Sequence, residues 1–126
     1  MNNDTLVRRT LAFSVFYNLV GAIIFFFPGS VGKLAGLPQP AQFAYSGFCA
    51  SVILIFAGVY FWLSRQPQID KPLVVVASVG KTSFFLVMLA SWLIGESTIT
   101  GPLIATVDLI MAIIFAQWAL TSGKNP

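Results

Sequence analysis

Residues 11–27 read LAFSVFYNLVGAIIFFF and stop at Pro28-Gly29. The run carries no charge, and a helix needs about 20 such residues to cross a hydrocarbon core of about 30 Å. It reads as a membrane span. Three further runs have the same character: Phe43–Leu63, Leu73–Ile94 just after Pro72, and Leu103–Leu120 just after Gly101-Pro102. Proline suits the first turn of a helix, where its missing N–H would be unpaired anyway. The expected fold is all-α: one domain over residues 1–126, an integral membrane bundle of four transmembrane helices, at about 11–27, 43–63, 73–94 and 103–120. Arg8 and Arg9 before an apolar run also suit a secretory signal peptide. The run is long for an h-region and no small-x-small cleavage site follows it, so a retained helix is expected.

Composition agrees. Apolar residues make up 57% of the 126 and charged residues 9%, against roughly 25% charged in an ordinary soluble domain. The net charge of +3 comes from scattered residues, and no basic run can track a phosphate backbone, so nucleic acid is not expected as a partner. Cys49 is the single cysteine and there is no histidine. That excludes an internal disulfide and a Cys-x-x-Cys pair, and it removes the commonest ligand for haem, copper, zinc and non-haem iron. No metal and no cofactor are expected.

The loops orient the bundle. Arg8, Arg9, Arg65, Lys71 and Lys124 fall on one side of four spans, and Lys33 with Glu96 on the other. Lys and Arg gather in cytoplasmic loops, so both termini are expected in the cytoplasm. Tyr60, Trp62 and Trp118 would then lie near the cytoplasmic ends of helices, and Tyr45 and Trp92 near the outer ends, as interfacial aromatics do. In the longest loop, Pro28 to Gln42, Ser30 can cap a short helical turn ended by Pro38. Val31, Leu34, Ala35 and Leu37 would then lie in the interface, with Lys33 reaching water. A plain connecting loop fits equally well. The two hairpins do not match closely enough to be an internal repeat.

Lys81 and Asp108 each sit inside an apolar span, where a charge costs about 2.5–3.5 kcal/mol. Together they are neutral, so mutual pairing is expected. At 1.5 Å per residue, Lys81 lies roughly 14 Å from the cytoplasmic face and Asp108 roughly 9 Å from the outer one. That leaves a gap of several ångströms in a core of about 30 Å. The lysine chain, tilt, a bridging water or a fourth helix beginning near Ile99 can close it. Asn18 lies at a similar depth to Lys81. Ser14, Asn18 and Gly21 share a face of the first helix, and Ser78, Lys81, Thr82 and Phe85 a face of the third. Ala105, Asp108, Ala112 and Ala116 form a stripe of small residues on the fourth. Small residues, Gly21 among them, let helices approach closely. The expected polar cluster is Asn18, Lys81, Thr82 and Asp108, serving either as a binding site or as a device that fixes helix register. No catalytic residue is expected. Cys49 is expected to pack in the second span, and Tyr17 to face lipid or core.

Two motifs fail on inspection. Gly80-Lys81-Thr82 resembles the end of a P-loop, but the first glycine of that motif falls on Val75, and the segment is apolar. Asn3-Asp4-Thr5 fits a glycosylation sequon on the side expected to be cytoplasmic, where it is silent.

Arginines before the first span, Tyr17-Asn18 and Gly21 within it, Phe27-Pro28 at its end, Leu34-Ala35-Gly36-Leu37, Gly80-Lys81 and Asp108-Leu109 form a pattern over most of the chain. It resembles small bacterial four-helix membrane proteins of the DoxX-like and related families of unknown function. The resemblance implies the bundle fold and a bacterial inner membrane, and carries no activity. Short loops, the missing redox and metal ligands and the neutral pair favour a non-enzymatic accessory or interaction subunit. It would reside in the lipid bilayer with a membrane-protein partner or a second copy. The alternatives are a small or proton-coupled carrier using Lys81 and Asp108, and a binding protein or enzyme for an apolar small molecule such as a lipid, quinone or isoprenoid.

Overall fold

The computed structural model describes residues 2–123, so Lys124 lies outside the described residues. Four long helices, α1 (Asn3–Phe26), α3 (Phe43–Arg65), α4 (Lys71–Leu93) and α5 (Thr100–Thr121), and one short turn, α2 (Val31–Leu34), account for its regular structure. The four long helices contain 22 to 24 residues and are long and apolar enough to cross a membrane. At 1.5 Å per residue each spans about 33–36 Å.

Helix ends follow local chemistry more than the limits of the apolar runs. α1 begins at Asn3, two turns before Leu11, because the Asn2 side chain accepts the Asp4 N–H at 3.3 Å. Val7 is then buried and the Trp118 indole N–H donates to Asp4 Oδ1 at 2.7 Å. α4 is capped by Asp70, whose Oδ1 accepts the Leu73 N–H at 3.1 Å, and Pro72 sits inside its first turn. α5 starts at Thr100, so Gly101-Pro102 lies within it.

The helices form a ring with one open seam. α1 packs on α3, α4 on α5, and α1 joins the two hairpins through α5; α3 and α4, though consecutive, have no backbone-to-backbone packing among the described residues. At one end Arg8 donates to three carbonyls, Ser64 O at 3.2 Å, Gln66 O at 2.6 Å and Pro67 O at 2.9 Å. Lys71 reaches the Ser122 carbonyl at 3.0 Å. Arg8, Arg65 and Lys71 thus gather at this basic end. Residues in the adjoining half fill it tightly: Val7, Leu11, Leu63, Val74 and Phe115 are at most 1% exposed. At the opposite end the Thr98 N–H donates to the Gly36 carbonyl at 3.3 Å and ties the α1–α3 and α4–α5 loops together.

Arg8→Ala should free the α3–α4 turn and cost about 1.5–3 kcal/mol, the range for hydrogen bonds to a charged group. Lysine should not restore it, since one ammonium cannot reach three carbonyls in a fork. Thermal unfolding in detergent, with protease cleavage across residues 66–70 as a local readout, measures both.

Two of the aromatics near helix ends are turned inward. Tyr60 is 2% exposed and Trp118 is 7% exposed. Both lie near helix ends as expected, but their rings turn inward and fill space between the hairpins. Trp62, Tyr45 and Trp92 do face outward. The segment after α1 is helical over Val31–Leu34, but the Ser30 side chain makes no cap, and the turn ends at Gly36 (φ 89°), ahead of Pro38. Leu37 turns inward onto Met88 and Ala105 instead of presenting its side chain outward.

Candidate functional site

Lys81 is the eleventh residue of α4 counted from the basic end, and Asp108 is the fourteenth of α5 counted from the same end. Three residues of rise are about 4.5 Å, which a lysine side chain spans. The gap expected from sequence closes accordingly, with α5 beginning at Thr100. Lys81 Nζ donates to Asp108 Oδ1 at 2.8 Å, and the two side chains are 3% and 7% exposed.

Asn18 joins them from α1. Its Oδ1 accepts from Lys81 Nζ at 3.4 Å, and its Nδ2 donates to the Ile53 carbonyl of α3 at 3.1 Å. One amide thereby connects the charge pair to a third and a fourth helix. The Lys81 ammonium also lies over two aromatic faces, 5.5 Å from the Tyr17 ring centroid and 5.1 Å from that of Tyr60. Ring faces attract a cation more strongly where water is excluded. The Tyr17 hydroxyl donates to the Ile104 carbonyl at 2.6 Å, one turn before Asp108.

Thr82 stands apart. Its hydroxyl donates to the Ser78 carbonyl of its own helix at 2.9 Å, and it does not line the cavity described below. One position along a helix is a rotation of about 100°, which carries Thr82 away from the face that Lys81 occupies. Ser78 donates across to the Ala112 carbonyl of α5 at 2.8 Å. Ser14 donates to the Thr10 carbonyl at 2.8 Å and lies 3.0 Å from Met111 Sδ.

The small-residue positions divide. Ala105 and Ala112 are buried at 0% and 2% exposure. Ala116 is half-buried, because steps of four outrun the 3.6-residue turn and Phe115 takes the inward position. Gly21 faces α3, where an added Cβ would make ordinary contact with Ile53 at 3.5 Å.

Between the hairpins, on the far side of the charge pair from the basic end, lies a cavity of about 330 Å³. Tyr17, Asn18, Tyr60, Lys81 and Asp108 form its floor. Its walls are apolar, among them Ile24, Phe25, Ile53, Phe56 and Phe84, and Leu37, Met88 and Gly101 close the end away from the basic one. It opens sideways at the α3–α4 seam, where Phe48, Cys49 and Gly80 are exposed. Cys49, expected as a packed core residue, therefore lies at the cavity mouth, on the α3 face left without a partner helix.

Tyr60 and Tyr17 are the floor residues that the sequence reading missed. A signal for Tyr60 exists. Ser46, Ala50, Ala57 and Tyr60 follow one another at spacings of four, seven and three, so the tyrosine continues a stripe of small, inward-facing residues. Set against known protein families, curated proteins and solved structures, the chain matches none.

Proposed function

We propose that this protein binds an apolar small molecule of the lipid, quinone or isoprenoid class, which enters the cavity sideways from the bilayer. The observation that carries this reading is the cavity itself: apolar walls, a polar floor near the middle of the long helices, and a mouth at the unpacked α3–α4 seam. Small-molecule sites have this character, mostly apolar with a few convergent polar groups, and volumes of about 300–1,000 Å³. At about 330 Å³ the space suits a head group and the first part of a tail, with the remainder of the tail in the seam.

The carrier reading needs an aqueous path past Lys81 and Asp108, and the packed layer of Leu11, Leu63, Val74 and Phe115 stands in its way. For the accessory-subunit reading, a lined cavity is not required. The basic end, with Arg8, Arg9, Arg65 and Lys71, is placed on the cytoplasmic side by the Lys/Arg distribution, and the resemblance noted above favours a bacterial inner membrane.

Gly80→Leu tests the site. A Cβ at Gly80 meets no atom within 4 Å, and leucine is a better helix former than glycine by up to about 1 kcal/mol. The variant should fold at least as well while its side chain obstructs the mouth. In native mass spectrometry from lipid nanodiscs, the wild-type protein should carry a small-molecule adduct that Gly80→Leu lacks. A wild-type protein without any adduct, or a variant that retains the same one, refutes the site.

A further inference from the structure

Tyr60 is 2% exposed, yet its hydroxyl makes no hydrogen bond to any described residue. Its oxygen is not among the fully buried polar atoms without a partner, so it keeps access to open space, and a phenol hydroxyl turned into an apolar pocket ordinarily finds a partner there. The side chain leans toward the N-terminus of α3, as helix side chains do, and that end of α3 lies away from the basic end. The hydroxyl is thus carried toward the cavity floor that Tyr60 lines.

The charges around that floor already cancel. Lys81 and Asp108 are the only ionised side chains lining the cavity among the described residues, and they hold each other at 2.8 Å. An anionic head group would have to draw Lys81 from Asp108 and leave a lone carboxylate in a low-dielectric site, which costs several kcal/mol. A cationic head group would strand Lys81 in the same way. A neutral one leaves the pair intact and needs only an oxygen to accept the idle O–H.

We infer that the cavity takes a neutral amphiphile whose head presents a carbonyl or hydroxyl oxygen to the Tyr60 hydroxyl, in preference to a phosphate-headed lipid. This rests on the cavity being a binding site.

Cys49 at the mouth supplies the readout. In nanodiscs, its alkylation by a bilayer-soluble maleimide is followed with three competitors: a C15 isoprenyl alcohol, a fully substituted decylbenzoquinone and a C15 isoprenyl phosphate. At least one neutral probe should protect Cys49 at a concentration tenfold or more below the phosphate. Which one does so separates an alcohol from a quinone. Tyr60→Phe keeps the ring over Lys81 and removes only the hydroxyl. It should raise the protecting concentration of the neutral probe about fivefold to tenfold, the loss of one hydrogen bond, and leave the phosphate unchanged. If the phosphate protects as well as the neutral probes, or Tyr60→Phe changes nothing, the head-group assignment is wrong and the cavity site stands. If no probe protects, both fail.

Discussion

Lys81→Met and Asp108→Leu should each destabilise the fold by about 3 kcal/mol, and the double variant should recover most of that loss. A single change removes one partner of an ion pair whose side chains are 3% and 7% exposed. The survivor keeps its charge at a site nearly closed to solvent. Insertion scales put a central membrane charge at about 2.5–3.5 kcal/mol, and breaking a buried pair elsewhere costs about 3–5 kcal/mol. The double change removes the charge problem altogether. Recovery should fall short by about 1–2 kcal/mol, because the Asn18 carbonyl oxygen loses its donor and the Tyr17 and Tyr60 rings lose their cation. The Asn18 bond to Ile53 remains in every variant, so α1 and α3 should stay in register. Unfolding in detergent with increasing denaturant measures all three proteins. A double variant no more stable than the weaker single would show that the pair is not what makes the singles costly.

The existence of the charge pair was legible because two charges in apolar runs leave few arrangements. The number of helices was legible for a similar reason, since each run had the length of a bilayer. Inward faces were harder to read. In a soluble helix the large apolar residues mark the core, but in this bundle Phe16, Phe48, Ile55, Val79 and Leu103 face outward. Ser14, Ala50, Ala57, Ala77 and Ala105 are buried instead, alongside a few large residues such as Leu11, Leu63 and Phe115. Lipid tails are as apolar as leucine, so hydrophobicity does not separate inside from outside, and close approach of small residues does. Tyr60 illustrates the consequence: its position near a helix end suggests an interface, and only the stripe that it continues turns it inward. The open α3–α4 seam could not be read at all. It depends on which helices pair, and consecutive helices ordinarily neighbour one another.

Gly36→Ala should cost about 3 kcal/mol and open the cavity from the end opposite the basic one, whereas Gly95→Ala should cost only about 1 kcal/mol. Both glycines adopt positive φ, 89° and 83°. A side chain in that region costs about 1–2 kcal/mol. At Gly95 nothing lies within 4 Å of an added Cβ, so the strain is the whole effect. At Gly36 the Cβ would lie 2.5 Å from Thr98 Oγ1 and 2.7 Å from the Gly101 backbone nitrogen. The hydroxyl can rotate away, but the backbone nitrogen belongs to the first turn of α5 and cannot. The α2 segment must lift, and two things go with it: the bond from the Thr98 N–H to the Gly36 carbonyl, and Leu37, which packs on Met88 and Ala105 as the cavity roof. The native Cys49 thiol reports the second loss. A charged, membrane-impermeant thiol reagent should label it faster in Gly36→Ala than in the wild type, while Gly95→Ala should leave the rate unchanged. Equal stabilities of the two variants would mean that the α1–α3 and α4–α5 loops do not meet, and a roof that rests on their meeting would not exist.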